Sequence, residues 1–142
     1  MIYTPKTKLA LKLCFRAHKE QVDKSGLPYV FHPFHLAEQM ETEATTVVAL
    51  LHDVVEDTPY TLDDLTAMGF DKEITDAVAL MTHADGVDYM DYVAAIKHNP
   101  IAKAVKLADL KHNSDLSRMD AVDEKILRRR EKYLKAIALL EE

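Results

Sequence analysis

Apolar positions in this chain recur at helical intervals and nowhere alternate for long. Leu9, Ala10, Leu13, Cys14 and Ala17 mark one stripe of an amphipathic helix, and an apolar stretch runs from Ile101 to Ala108. Only three glycines occur, while Leu, Ala, Lys and Glu abound, so local propensity and pattern agree on an all-α protein. Helices are predicted at about Pro5 to Val22, Pro33 to Glu41, Ala44 to Glu56, Leu62 to Met68, Lys72 to Thr82, Asp88 to His98, Ile101 to Ser117 and Asp123 to Glu141. Thr61 followed by Asp64 marks a capped start, Gly69 a stop, and Pro59 a break just after Glu56 and Asp57. Asp23 to Pro33 and His83 to Val87 are the long irregular pieces, and loops of that kind often border active sites.

At 142 residues and 48% hydrophobic content, the chain is expected to bury one core as a single domain, residues 1–142, with no room for a second. A formal net charge of −6 argues against polymeric nucleic acid as a partner, because phosphate backbones are bound through clustered Lys and Arg. The one basic run, Arg128-Arg129-Arg130, is read as a solvated helix face beside Glu124 and Glu131. Cys14 is the only cysteine and is read as a core residue that forms no intrachain disulfide. With neither a signal-peptide pattern nor an apolar run of membrane-spanning length, the expected location is the cytoplasm, away from membranes.

The chemistry concentrates in Leu50-Leu51-His52-Asp53-Val54-Val55-Glu56-Asp57-Thr58. His52 and Glu56 are four apart, as are Asp53 and Asp57, so one helix would turn all four toward one side. The alternative is an amphipathic helix whose last turn is merely acidic. Two further residues favour chemistry. His32 is fixed between Phe31 and Pro33, and Asp109 interrupts an apolar helical stretch where a buried carboxylate needs a partner or a metal. Together His32, His52, Asp53 and Asp109 form a mixed nitrogen and oxygen ligand set that suits Mn, Fe, Co, Ni or Zn better than Ca or Mg.

At these residues the sequence resembles the HD-domain metal-dependent phosphohydrolases. It is more closely similar to the hydrolase domain of the RelA/SpoT enzymes and their small free-standing relatives, which remove the 3′-pyrophosphate from ppGpp and pppGpp. The matching blocks are Ala17-His18-Lys19-Glu20-Gln21, Lys24-Ser25-Gly26-Leu27-Pro28-Tyr29-Val30, His32-Pro33, the segment from Leu50 to Thr58, and Val105-Lys106-Leu107-Ala108-Asp109 with Asn113. The resemblance implies a helical HD-domain fold of about eight helices around the metal. It implies that His32, His52, Asp53 and Asp109 hold one ion, usually Mn2+. It implies that Glu56 and Asp57 position or activate the attacking water, and that Lys24, Ser25 and Asn113 contact a small nucleotide substrate. Independently, Asn113 lies one turn beyond Asp109 on the same helix face.

The chain departs from that family where the nucleotide is read. Asp23 and Asp115 stand where the family usually has Arg, and Leu110-Lys111 stands where Arg-Leu is common. Arginine grips phosphate bidentately, whereas aspartate repels it, so the nucleotide grip is expected to be altered unless both carboxylates face away from the cleft. Three readings remain open: hydrolysis of (p)ppGpp, hydrolysis of another phosphorylated nucleotide or phosphoester, and a nucleotide-sensing module without turnover. Among the other histidines, His18 is expected to pack or hydrogen-bond beneath the site. His35 lies outside the matched positions, and His83, His98 and His112 are read as exposed or as neighbours of the ligands.

Overall fold

Val47 to Leu51 are five consecutive apolar residues with no exposed surface. A helix that is apolar on every side must be surrounded. The computed structural model, which describes residues 1–142, places this helix, α3 (Glu43–Leu51), at the centre of an all-helical fold. Around it pack α1 (Pro5–His18), α2 (Phe31–Glu38), α6 (Lys72–Met81) and α8 (Pro100–Asn113). The short helices α4 (Val54–Asp57) and α5 (Leu62–Ala67) follow α3. Helices α7 (Tyr89–Ile96) and α9 (Glu124–Glu141) close the far side, with a 3-10 turn at Leu116–Arg118 leading into α9. The only strand-like pairing is an isolated bridge between Val22 and Pro28.

Local chemistry sets the helix starts. Thr4 and Thr7 form a capping box ahead of Pro5, and Thr61 and Asp64 form the expected one before α5. Asn99 caps α8 ahead of Pro100, and Asp123 caps α9. Gly69, at φ 102°, ends the α5 segment in a conformation only glycine adopts freely. Cys14 is buried in the core as expected, and burial pushes its thiol up to about 12, which keeps it unreactive.

Each of the eight predicted segments contains a helix, but one is divided. The segment predicted as a single helix from Ala44 to Glu56 breaks at Asp53, whose φ −106° and ψ 1° leave the helical region. At the break the His52 ring reaches back to the Ala49 carbonyl, so a side chain takes up an acceptor that a continuing helix would hold with its backbone. The break leaves the four polar residues together: His52 Nε2 is 3.2 Å from Asp53 Oδ2, and the carboxylates of Asp53, Glu56 and Asp57 lie within 4.8 Å of one another. Other differences lie at the ends: α1 stops at His18 rather than Val22, and the helix predicted to Ser117 stops at Asn113 before the 3-10 turn.

Candidate metal centre and its cleft

Three elements bring the ligand-type residues together. His32 comes from α2, His52 and Asp53 from the break between α3 and α4, and Asp109 from α8. His32, His52 and Asp109 are all buried, and their ligand atoms lie within 4.8 Å of one another. His32 Nε2 is 2.8 Å from Asp109 Oδ1, while His52 Nε2 is 3.6 Å from the same oxygen and 3.2 Å from Asp53 Oδ2. Asp53, with 22% of its side chain exposed, joins the group from the solvent side and accepts a hydrogen bond from the Tyr29 hydroxyl.

The charges around this pocket suit a cation. His52 Nδ1 lies 2.7 Å from the Ala49 carbonyl and donates to it, which leaves Nε2 as the nitrogen facing Asp53 and Asp109. That Nε2 is buried and aligned with no hydrogen-bond partner. A lone pair turned toward two carboxylates is repulsive unless a positive charge sits between them. The titration directions agree. Burial alone would drive the proton off His52, yet Asp53 and Asp109 outweigh it and hold its pKa above the ordinary histidine range. Burial opposes ionisation of Asp109 too, but Lys106, 3.0 Å away, and the two histidines hold it well below the usual carboxylate range. Asp53 is likewise held at about 2, against its burial, chiefly by His52. Two imidazole nitrogens and two carboxylates thus fit a first-row transition ion.

Carboxylate oxygens of Asp53, Glu56 and Asp57 lie within 4.8 Å of one another, so the two acidic residues after the break sit together beside Asp53. Asp57 lines the cleft that opens over the centre, and Gln21 donates to its backbone carbonyl at 3.0 Å. Burial, then Asp53 and Glu56, raise Asp57 to about 6. Glu56 is exposed and accepts from the His83 backbone N–H at 2.6 Å, which ties it to the loop before α7.

The cleft holds about 450 Å³, within the usual range for small-molecule sites. Its walls include Lys24, Tyr29, Asn113, Arg118, Arg129 and Arg130. Arg129 and Arg130 correct the reading of the basic run as a solvated face: both turn toward the cleft, and Arg130 donates to the Ser114 carbonyl. Of the residues expected to contact a nucleotide, Lys24 and Asn113 line the cleft. Ser25 does not; its amide and hydroxyl both bond to Asp23 Oδ1.

Asp23 lines the cleft too, but its carboxylate is committed. Oδ1 also accepts from Leu27 N–H, and Oδ2 pairs with Arg118 at 3.2 Å. Asp115 lines the cleft as well, and its Oδ1 caps the 3-10 turn by accepting from the Ser117 amide and hydroxyl. Arg118 neutralises the Asp23 carboxylate, while Asp115 leaves a negative charge on the cleft wall. The cleft takes its positive charge from Lys24 in the loop after α1, from Arg118 of the 3-10 turn and from Arg129 and Arg130 of α9, the last three of which no local pattern around Lys24 reveals.

The remaining histidines sort by geometry. His18 is buried beneath the centre as expected, bonded to Gln21 and packed on Tyr29. His112 meets His32, and His35 packs on His112 rather than joining the ligand group. Burial and the neighbouring His32 lower His112 to about 4. Tyr29 and Lys106 are the contributors that sequence reasoning passed over. Lys106 could have been found as the one charge placed three residues before Asp109 in an apolar run.

An all-helical fold with a buried His–Asp centre between α2, the α3–α4 break and α8 is the HD-domain arrangement. Comparison with known proteins narrows this to RelA/SpoT-like sequences. The chain is 33% identical over 144 residues to a probable GTP pyrophosphokinase of Mycobacterium leprae, covering 92% of the chain and 18% of that protein. It is 33% identical over 112 residues to the bifunctional (p)ppGpp synthase/hydrolase SpoT of Escherichia coli K12, covering 68% of the chain and 16% of that protein. Over 77 residues it is 44% identical to a probable guanosine-3′,5′-bis(diphosphate) 3′-pyrophosphohydrolase of Mycoplasma pneumoniae, covering 51% of the chain and 10% of that protein. The chain spans less than a fifth of the length of these relatives. Among solved structures, a metazoan SpoT ortholog described as hydrolysing ppGpp superposes with a TM-score of 0.76 at 23% identity, covering 99% of this chain and 85% of that one. That likeness establishes the fold. No protein-family profile matches the chain. No helix is long and apolar enough to cross a membrane.

Proposed function

We propose that the chain is a metal-dependent phosphohydrolase that cleaves guanosine 3′,5′-bis(diphosphate) with water into GDP and pyrophosphate, and that Mn2+ is its ion. The observation that carries this reading is the buried, unpartnered His52 Nε2, facing His32, Asp53 and Asp109 at the floor of a cleft whose wall includes Lys24, Arg129 and Arg130. The sequence similarity to (p)ppGpp hydrolases supports the choice of substrate.

His32, His52, Asp53 and Asp109 would hold the ion, which supplies a water of lowered pKa and polarises the phosphoryl group. Asp57 accepts the proton of the attacking water. Of Glu56 and Asp57 it is the one that lines the cleft, and its raised pKa suits a base working near neutral pH. Glu56 shapes the rim through its bond to the His83 amide. Lys24 and Arg129 neutralise phosphate charge from the opposite wall, and charge-assisted bonds of this kind are strong in a partly desolvated cleft. Asn113 gives one amide hydrogen to Asp109 and keeps its oxygen and second hydrogen for the nucleotide.

The test is to incubate Mn2+-loaded protein with ppGpp and separate the products by ion exchange. Equimolar GDP and pyrophosphate are expected. Intact ppGpp after prolonged incubation with demonstrably metal-loaded protein would refute the assignment.

A further inference from the structure

We infer that His112 is a positioning residue that fixes the tautomer and plane of His32 for metal binding; this rests on the metal-site reading above. The two rings meet at their Nδ1 atoms, 2.7 Å apart, with 11° between their planes and 5.0 Å between their centres. An imidazole nitrogen lies about 1.2 Å from its ring centre, so two rings meeting in line and in plane at a short hydrogen bond have centres about 5 Å apart. The observed separation is that value. The contact is therefore an edge-to-edge N–H···N bond with the lone pair in the ring plane, and not a face-to-face stack.

An Nδ1–Nδ1 bond needs one proton between the two rings, not two and not none. His32 can offer its Nε2 lone pair to a metal only as the tautomer that carries its hydrogen on Nδ1. In that state His32 Nδ1 donates, His112 Nδ1 accepts, and His112 holds its own hydrogen on Nε2. Without a metal, His32 Nε2 faces Asp109 Oδ1 at 2.8 Å and donates to it, and the Nδ1 bond can reverse, with His112 as the donor. His112 can thus satisfy His32 in both states, which neither a backbone carbonyl nor a carboxylate can do. His35 packs on the face of His112 with ring centres 4.3 Å apart, which restrains His112 from behind. His52 is oriented differently, by the Ala49 carbonyl, so the two histidine ligands have separate supports.

The test compares Mn2+ binding by the metal-stripped wild type, His112→Phe and His112→Asn, with free Mn2+ followed by electron paramagnetic resonance. His112→Phe keeps a ring against His35 and removes the acceptor; Asn places its Oδ1 close to the lost Nδ1 and keeps an acceptor. The Phe variant should bind Mn2+ roughly 10- to 100-fold more weakly, the usual scale for loss of an outer partner of a histidine ligand. The Asn variant should stay within about threefold of wild type. A second reading needs no substitution: in the Zn2+-loaded wild type, nitrogen-15 spectra of the histidine rings should show His32 protonated on Nδ1. A Phe variant that binds as tightly as wild type, or His32 protonated on Nε2 in the loaded protein, overturns the inference while leaving the metal site standing. A wild type that binds no Mn2+ removes the metal-site reading itself, and this inference with it.

Discussion

Replacing Asp57 by Asn separates the work of the base from that of the metal ligands. Asn has nearly the shape of Asp and keeps the backbone bonds from Gln21 and to Asp53, so the fold and the His–Asp centre should survive. What disappears is a proton acceptor whose pKa, raised to about 6 by burial, Asp53 and Glu56, leaves it about 99% ionised at pH 8. Loss of a general base costs about 10²- to 10⁴-fold. The lower end applies here, because a metal-bound water remains nucleophilic without it, so kcat should fall about a hundredfold, or about 2.7 kcal/mol in the barrier. The Mn2+ affinity should stay within about threefold of wild type, since Asp57 is not among the four ligands. Glu56→Gln keeps the acceptor for the His83 amide and should lose less than about fivefold in kcat. The sign of the pH dependence follows. The base works when deprotonated, so wild-type kcat should drop on the acid side as pH falls through the Asp57 pKa. A bound cation lowers that value from the metal-free one of about 6. Asp57→Asn should lack this limb. Steady-state rates of pyrophosphate release from pH 5 to 9 provide the measurement. If Asp57→Asn retains a third of wild-type kcat, or Glu56→Gln falls as far as Asp57→Asn, Asp57 is not the base.

Lys106→Met should destabilise the metal-free protein by about 3 kcal/mol, because it strips a buried partner from Asp109, and added Mn2+ should restore part of the loss by supplying a cation. Urea midpoints with and without Mn2+ will show this, and unchanged midpoints would contradict it. Asp23→Asn should cost about 1–3 kcal/mol at pH 7 through the bonds it breaks to Ser25, Leu27 and Arg118. Although burial opposes it, those bonds lower the Asp23 pKa. Its stabilisation is therefore complete above the unfolded value of about 3.9 and fades as pH falls through the lower folded value. The difference between wild type and Asp23→Asn should accordingly shrink toward pH 2. Asp23→Arg should reduce ppGpp turnover by severing the loop from Arg118; a rate increase would mean that the Asp23 carboxylate opposes substrate after all.

The helical class was legible because every level of the sequence agrees: few glycines, 3.6-residue apolar spacing, and Thr61–Asp64 and Gly69 marking where one helix starts and stops. The ligand residues stood out for other reasons: His52 by its four-residue spacing to Glu56, His32 by its place beside Pro33, and Asp109 as a carboxylate in an apolar stretch that burial forbids without a partner. The break at Asp53 was not legible. Periodicity reads straight across Ala44 to Glu56, and the competing bond from His52 to the Ala49 carbonyl leaves no trace in composition. The commitment of Asp23 could not be read for a similar reason, because its partner Arg118 lies 95 residues away. The basic run of α9 looked solvated because a local helix pattern cannot tell which face a distant loop will cover.

The decisive measurement is catalysis against metal occupancy in the same samples. Metal-stripped protein is titrated with Mn2+, bound metal is counted by elemental analysis, and GDP formation from ppGpp is timed at each point. Turnover should be negligible in stripped protein, should rise in proportion to bound Mn2+, and should level off at about one ion per chain, while His52→Ala binds none and stays inactive. Full activity in metal-free wild type, or in His52→Ala, would contradict the assignment of His32, His52, Asp53 and Asp109 as the centre of the reaction.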